Sequence, residues 1–147
     1  MNATVTSITS EDLTPAVVDA VSILLLQLGN SRRKMDKARL LEIVNQDQTR
    51  IYVALLDNDV VGMLTCTLQS LPSRRSMIIE DVVTRDNLRR RGIGRTLVET
   101  AIAWARECDV DTVDVTTSPR REPANRMYPA LGFDQRDLNV YRLETRP

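Results

Sequence analysis

Apolar residues in this chain recur with two different periods, and the switches between them lay out the elements. Val17, Val18, Val21, Leu24, Leu25 and Leu28 repeat at helical spacing. That stripe predicts a helix capped by Ser10 or Asp12, with Pro15 in its first turn and Gly29-Asn30 at its end. A second helix is expected over Asp36–Gln46, with Ala38, Leu41 and Val44 on its buried side. Ala3 to Ile8 alternates weakly and reads as a first strand. Arg50 to Leu56 and Val60 to Leu68 are rich in β-formers and flank Asp57-Asn58-Asp59, which predicts a hairpin, with Gly62 marking a bulge. Pro72-Ser73 then breaks the chain.

Met77-Ile78-Ile79-Glu80-Asp81-Val82-Val83-Thr84 is nearly all apolar or β-branched, as suits a strand buried on both faces. Helical spacing returns with Ile93, Leu97, Ala101, Trp104 and Cys108, and Val98, Ile102 and Ala105 fill the same side. Asp111 to Thr117 alternates as a strand, with Val113 and Val115 on one face. Pro123 opens a short helix to about Leu131, Gly132 stops it, and Asn139 to Leu143 predicts a last strand. The order is that of a mixed α/β layer with antiparallel hairpins and one βαβ crossover. No repeat or Pro/Gly/Ser-rich linker interrupts it, so one domain over residues 1–147 is expected.

Composition narrows the chemistry. The 147 residues hold 42 % hydrophobic and 27 % charged side chains, ordinary for a globular domain. Lys plus Arg and Asp plus Glu each total 20, so no global field favours nucleic acid or anionic lipid. Histidine is absent, which removes Ser-His-Asp and Cys-His hydrolysis, His-ligated metals and His general bases. Cys66 and Cys108 show no ligand spacing, each sits in an apolar periodic segment, and both read as small buried hydrophobes in a reducing compartment. Met1 to Thr14 is polar, and the longest aliphatic block, Ile23-Leu24-Leu25-Leu26, is far short of the roughly 20 residues a bilayer span needs. A cytoplasmic protein without metal, membrane or nucleic-acid partner is expected.

Chemistry concentrates at Arg89-Arg90-Arg91-Gly92-Ile93-Gly94, where the Met77 strand gives way to the Ile93 helix. A glycine-containing loop feeding a helix N-terminus offers free backbone N–H groups and the positive end of the helix dipole, a ready phosphate site. An ordinary basic turn would share this pattern. No Walker sequence is present, nor the third glycine and distal acid of a dinucleotide fingerprint.

Two motifs here match a known family. Arg89-x-x-Gly92-x-Gly94 corresponds to a Q/R-x-x-G-x-G/A signature, and Ala124-Asn125-Arg126-Met127-Tyr128-Pro129-Ala130-Leu131-Gly132-Phe133 places a tyrosine before a Leu-Gly-Phe stop. With a helix and a strand between them, the chain resembles the GCN5-related N-acetyltransferase (GNAT) superfamily over nearly its whole length. The resemblance implies a central mixed, mostly antiparallel sheet of six to seven strands, with strands 4 and 5 splayed, flanked by about four helices. It also implies acetyl-CoA as co-substrate and an amine as acceptor. Amides of Arg90, Arg91, Gly92, Ile93, Gly94 and Arg95, beside Arg89, would grip the pyrophosphate. Main-chain groups of Val82, Val83 and Thr84 would pair with the pantetheine arm like another strand. Asn125 is either a further cofactor contact or a polar residue of a helix's first turn.

An alkyl ammonium with a pKa of about 10.4 must lose a proton before it can attack a thioester. Glu80 lies on the central strand, where burial would raise its pKa toward that of a general base, unless it pairs with an arginine instead. Alternation turns Asp81 to the opposite side, which suits a structural hydrogen bond or hinge more than catalysis, although acceptor contact stays open. The resemblance makes Tyr128 the acid that protonates the departing sulfur; an aromatic wedge is the plainer alternative. Pro129 departs from the family pattern and is expected to kink that helix. The oxyanion would meet the amide of Val82 or Val83.

The acceptor side is expected around the connection of the first two helices, Asn30-Ser31-Arg32-Arg33-Lys34, where Asn30 and Arg33 are candidates, with Asp81 and Ser118. That connection suits a phosphate or carboxylate, and equally a solvated turn. Ile79-Glu80-Asp81-Val82-Val83 is similar to the run of glucosamine-6-phosphate N-acetyltransferases, whereas the segment from Val115 to Glu122 is not. Small amines, amino acids and protein amines stay open, as does a homodimer. Two rivals remain: a non-catalytic acyl-CoA sensor, and a nucleic-acid module, which 3 % aromatic content disfavours.

Overall fold

Thr14 caps the first helix, later than either Ser10 or Asp12. Its hydroxyl accepts a hydrogen bond from the Val17 amide at 3.3 Å, and Pro15 fills the first turn, where a missing N–H costs nothing. Ser10–Asp12 is instead a 3-10 turn, closed by the Thr9 amide donating to the Asp12 carboxylate. The computed structural model describes residues 2–29 and 31–147, so the role expected of Asn30 lies outside the described residues. The chain divides into two compact units, residues 1–116 and 117–147.

The first unit contains β1 (Thr4–Ser7), α1 (Pro15–Leu28), α2 (Lys37–Val44), β2 (Thr49–Leu56), β3 (Asp59–Ser70), β4 (Arg75–Thr84), α3 (Ile93–Glu107) and β5 (Thr112–Val115). Among the described residues, five strands form one sheet in the order β1-β2-β3-β4-β5, antiparallel except for the β4–β5 pair. That one parallel pair follows from α3, since a crossover helix brings the chain back to begin β5 at the same end as β4. The β2–β3 hairpin turns on Asp57 and Asn58, both at positive φ, the geometry a two-residue turn demands of residues that tolerate it. A register shift between Ala54 and Leu55 leaves Val61 unopposed, next to the glycine expected to mark the bulge.

Alternation along β2 sends its side chains to two cores. Ile51 and Val53 join Val21, Leu24, Leu25, Leu40, Met63 and Val83 under α1 and α2. Tyr52 turns the other way and meets Trp104 of α3 edge-on, with ring centres 6.5 Å apart. The Arg50 guanidinium lies 4.1 Å above the Trp104 ring, and Arg50 also donates to the Tyr52 hydroxyl at 3.0 Å. Leu97, Val98, Ala101 and Ala105 complete the buried face of α3. Each large apolar side chain so buried contributes about 1.5–3 kcal/mol, which anchors α3 against the sheet. Among the described residues, no helix is long and apolar enough to cross a membrane.

The second unit is built on α4 (Glu122–Ala130). Pro129 lies inside it without ending it: its lost N–H forfeits only the bond to the Asn125 carbonyl, and the helix continues to Ala130. Gly132, at φ +97°, then reverses the chain, and the Phe133 amide donates back to the Tyr128 carbonyl at 3.0 Å. Residues 133–147 enter neither helix nor strand. The strand expected at Asn139–Leu143 is thus absent, and the described sheet has five strands, not six or seven. Alternating apolar residues make a segment competent for β-structure, but only cross-strand pairing fixes it. Here the large apolar side chains stay open, from 80 % exposed at Val140 to 89 % at Tyr141.

Candidate active site

The ladder between β3 and β4 breaks at the residues of interest. Glu80 pairs with Thr65 and Val83 with Met63, so two β4 residues, Asp81 and Val82, stand against Leu64 alone. Such an insertion bends the strand and re-aims side chains. Asp81 takes φ +57°, a left-handed conformation that aspartate tolerates better than most residues. Two expectations change as a result. Glu80 is exposed, not buried as expected, at the residue where the ladder shifts. Asp81 is half-buried and does not face the opposite side: the Thr65 hydroxyl donates to its Oδ2 at 3.2 Å. Since Thr65 shares a face with its partner Glu80, both carboxylates lie on that face. Burial pushes the Asp81 carboxyl above the usual carboxylate range, partly offset by the Thr65 hydrogen bond.

Beyond Ile79 the other edge of β4 is open. Its pairing with β5 covers Ser76–Ile79 only, so Val82, Val83 and Thr84 have no ladder partner on that side among the described residues. This splay is the gap that a strand-like ligand could enter. Gln27 of α1, a residue with no local sequence signal, holds the strand exit. Its Nε2 donates to the Thr84 carbonyl at 2.7 Å, and its Oε1 accepts from the Asp86 amide at 3.0 Å. A lone glutamine on a helix carries no signal; only the packing of α1 over β4 reveals it.

The chain then passes a 3-10 turn at Asp86–Leu88 and reaches the loop. Arg90 and Gly92 adopt φ +67° and +76°, and among the described residues no side chain caps α3. Its first N–H groups, from Ile93, Gly94 and Arg95, have no intrahelical partner and point out of the helix end. Buried Ile93 seats that end on the core, while Arg90, Arg91 and Gly92 are exposed. Arg89 bonds Asp86 at 2.7 Å and Arg95 bonds Glu99 at 2.7 Å. Both pairs are exposed and contribute about 0–1 kcal/mol each. An uncapped helix end, two left-handed turns and flanking arginines fit a diphosphate, so the residues present suit coenzyme A.

Arg33 lies exposed on the connection between α1 and α2. Tyr128, Asn125 and Ser118 belong to the second unit. Tyr128 is buried, stacks edge-on with Phe133 at 5.6 Å, and has its hydroxyl pKa raised by burial, with Arg121 opposing. Asn125 acts as a local staple: its amide donates to the Ser118 and Arg121 carbonyls, both at 2.9 Å. Ser118 is exposed, and its hydroxyl accepts from the Arg120 amide at 3.3 Å.

Comparison with known proteins agrees with this geometry. The profile of the acetyltransferase (GNAT) family matches residues 18–133. Streptothricin acetyltransferase of Escherichia coli is 27 % identical over 105 residues, covering 70 % of this chain and 58 % of the relative. The L-amino acid N-acetyltransferase AaaT of Escherichia coli K12 is 30 % identical over 86 residues, 56 % of this chain and 51 % of the relative. The chain thus spans little more than half the length of these curated relatives. An aminoglycoside acetyltransferase from an uncultured soil metagenomic sample, solved with sisomicin, superposes with a TM-score of 0.80. It covers 97 % of both chains at 19 % identity, a likeness of fold. The chain belongs to the acetyltransferase (GNAT) family.

Proposed function

We propose that the protein transfers an acetyl group from acetyl-CoA to a primary amine by direct attack in a ternary complex. The observation that carries this reading is the continuous stretch from the open edge at Val82–Thr84 to the uncapped α3 terminus at Arg90–Arg95. It offers strand-like pairing for an extended arm, then a backbone anion site where a diphosphate would follow. The names of the relatives favour a small amine as acceptor, such as an amino acid or an amine-bearing antibiotic.

Glu80 is the base of this scheme. Being exposed, it can take the acceptor's proton directly or through one water. The freed nitrogen lone pair forms the new C–N bond as the C–S bond breaks. Tyr128 returns a proton to the departing sulfur, and its raised pKa keeps the hydroxyl protonated at neutral pH, as an acid requires. The amide of Val82 or Val83 meets the oxyanion. Nitrogen gives up two protons, one to Glu80 before attack and one to solvent as the C–N bond forms, and sulfur takes one from Tyr128. The products are an amide, free coenzyme A and one released proton once Glu80 and Tyr128 re-equilibrate with solvent.

The test is thiol release from acetyl-CoA across aminoglycosides, streptothricin, L-amino acids, aminosugar phosphates and peptides. Glu80→Gln should lower kcat by about 10²–10⁴, the range for losing a general base, and Tyr128→Phe by less. Unchanged rates in both variants would remove these assignments. Failure of calorimetry to detect acetyl-CoA binding would remove the function itself.

A further inference from the structure

The bulge in β4 leaves a carboxylate that the proton-transfer scheme does not use. Asp81 and Glu80 lie on the Thr65 face of the sheet, and Thr65 follows Met63 by two positions, so this is the face covered by α1 and α2. A left-handed aspartate inside a strand carries a conformational cost of order 1 kcal/mol, and such strain gathers where side chains need special aim. Among the described residues, the half-buried Asp81 has the Thr65 hydroxyl as its hydrogen-bond partner, on Oδ2. A carboxylate has about four lone-pair sites, so Oδ1 keeps the capacity to accept from a cation.

We propose that Asp81, aimed by Thr65, receives the acceptor's ammonium group and holds it beside Glu80 before the proton is removed. This inference rests on the N-acetyltransferase reading and adds what selects the acceptor: a cationic amine. Glu80 then works on a nitrogen already oriented, and Thr65 is a positioning residue acting through Asp81. An anionic second carboxylate also lowers the energy of the charged amine before transfer. Its benefit therefore shows in amine binding more than in the chemical step.

Asp81→Asn tests this with little structural disturbance, because asparagine tolerates the same φ and can still accept from Thr65. KM for the amine should rise between about tenfold and a hundredfold, the loss expected when a charged hydrogen-bond partner is removed. KM for acetyl-CoA and its calorimetric affinity should not move. Thr65→Val should raise the amine KM less, again without changing acetyl-CoA binding. A purely structural Asp81 would instead leave the amine KM unchanged or shift both substrates together, and either result overturns the proposal. If wild-type protein binds acetyl-CoA but acetylates nothing, the functional reading fails separately. Calorimetry of an L-amino acid and an aminoglycoside into the coenzyme A-loaded protein then decides for Asp81. Binding by wild type that the Asn variant loses supports the proposal, and equal or absent binding refutes it.

Discussion

Gly92→Ala would separate backbone conformation from packing at the loop that begins α3. Gly92 sits at φ +76°, and a Cβ added there meets nothing within 4 Å, so no steric clash contributes. Holding an L-residue in that conformation costs about 1–2 kcal/mol. The less flexible unfolded chain of the alanine variant returns about 0.4–1 kcal/mol. The net loss is about 1 kcal/mol, or about 2–4 °C in Tm for a chain of this size. Binding should suffer more than stability, because relief of the strain swings the Arg91–Ile93 amides off their aim. Losing one hydrogen bond to a charged group corresponds to about 1.5–3 kcal/mol, roughly tenfold or more in affinity. Asparagine tolerates the left-handed region, so Gly92→Asn should recover most of both quantities. The assay pairs thermal unfolding with calorimetry of acetyl-CoA binding. Alanine and asparagine variants that both match wild type in Tm and Kd would refute the claim that this turn shapes the anion site.

Three further outcomes follow from the packing and the titrating groups. Gly62→Ala would bring a Cβ to 3.2 Å from Ile93 Cγ2, Leu97 Cδ1 and the Val83 carbonyl oxygen. Overpacking of this kind costs about 1–3 kcal/mol, so the urea midpoint should fall and acetyl-CoA affinity should weaken as α3 lifts; an unchanged midpoint contradicts this. Cys66 is 0 % exposed and burial pushes its thiol up to about 12, so it should resist alkylation at pH 8 until the protein unfolds. Native-state labelling of Cys66 as fast as in urea would contradict that reading. Asp81 has a folded pKa raised by burial, so its contribution to stability is fully present below the unfolded value of about 3.9 and is lost as pH rises through the folded value. Asp81→Asn should therefore raise Tm relative to wild type at pH 8, with the difference shrinking toward pH 4. A difference that grows on acidification would contradict the sign.

The helices and the hairpin were legible because their signals are local. Asp36 caps from within one turn, Asp57-Asn58 tolerates the turn's positive φ, and the α3 stripe repeats faithfully from Ile93 to Ala105, although the cap of α1 falls on Thr14 and not on Ser10 or Asp12. The loop proposed to hold the anion was legible as a strand-to-helix junction for the same reason, since glycine and arginine there act through the backbone nearby. Gln27 was invisible, because its two partners, Thr84 and Asp86, are far along the chain. The last strand was misjudged because alternation at Asn139–Leu143 states a preference, not a partner.

The amino-acid order alone determined the four helices and the first five strands, and the strand-to-helix loop proposed to hold a diphosphate. Those properties depend on side-chain periodicity and on backbone groups within a turn or two. Tertiary structure decided which carboxylate is buried and where each points. A single inserted residue in the β3–β4 register opens Glu80 to solvent and turns Asp81 onto Thr65. Register is a relation between two strands, so the period-2 pattern of one strand cannot contain it.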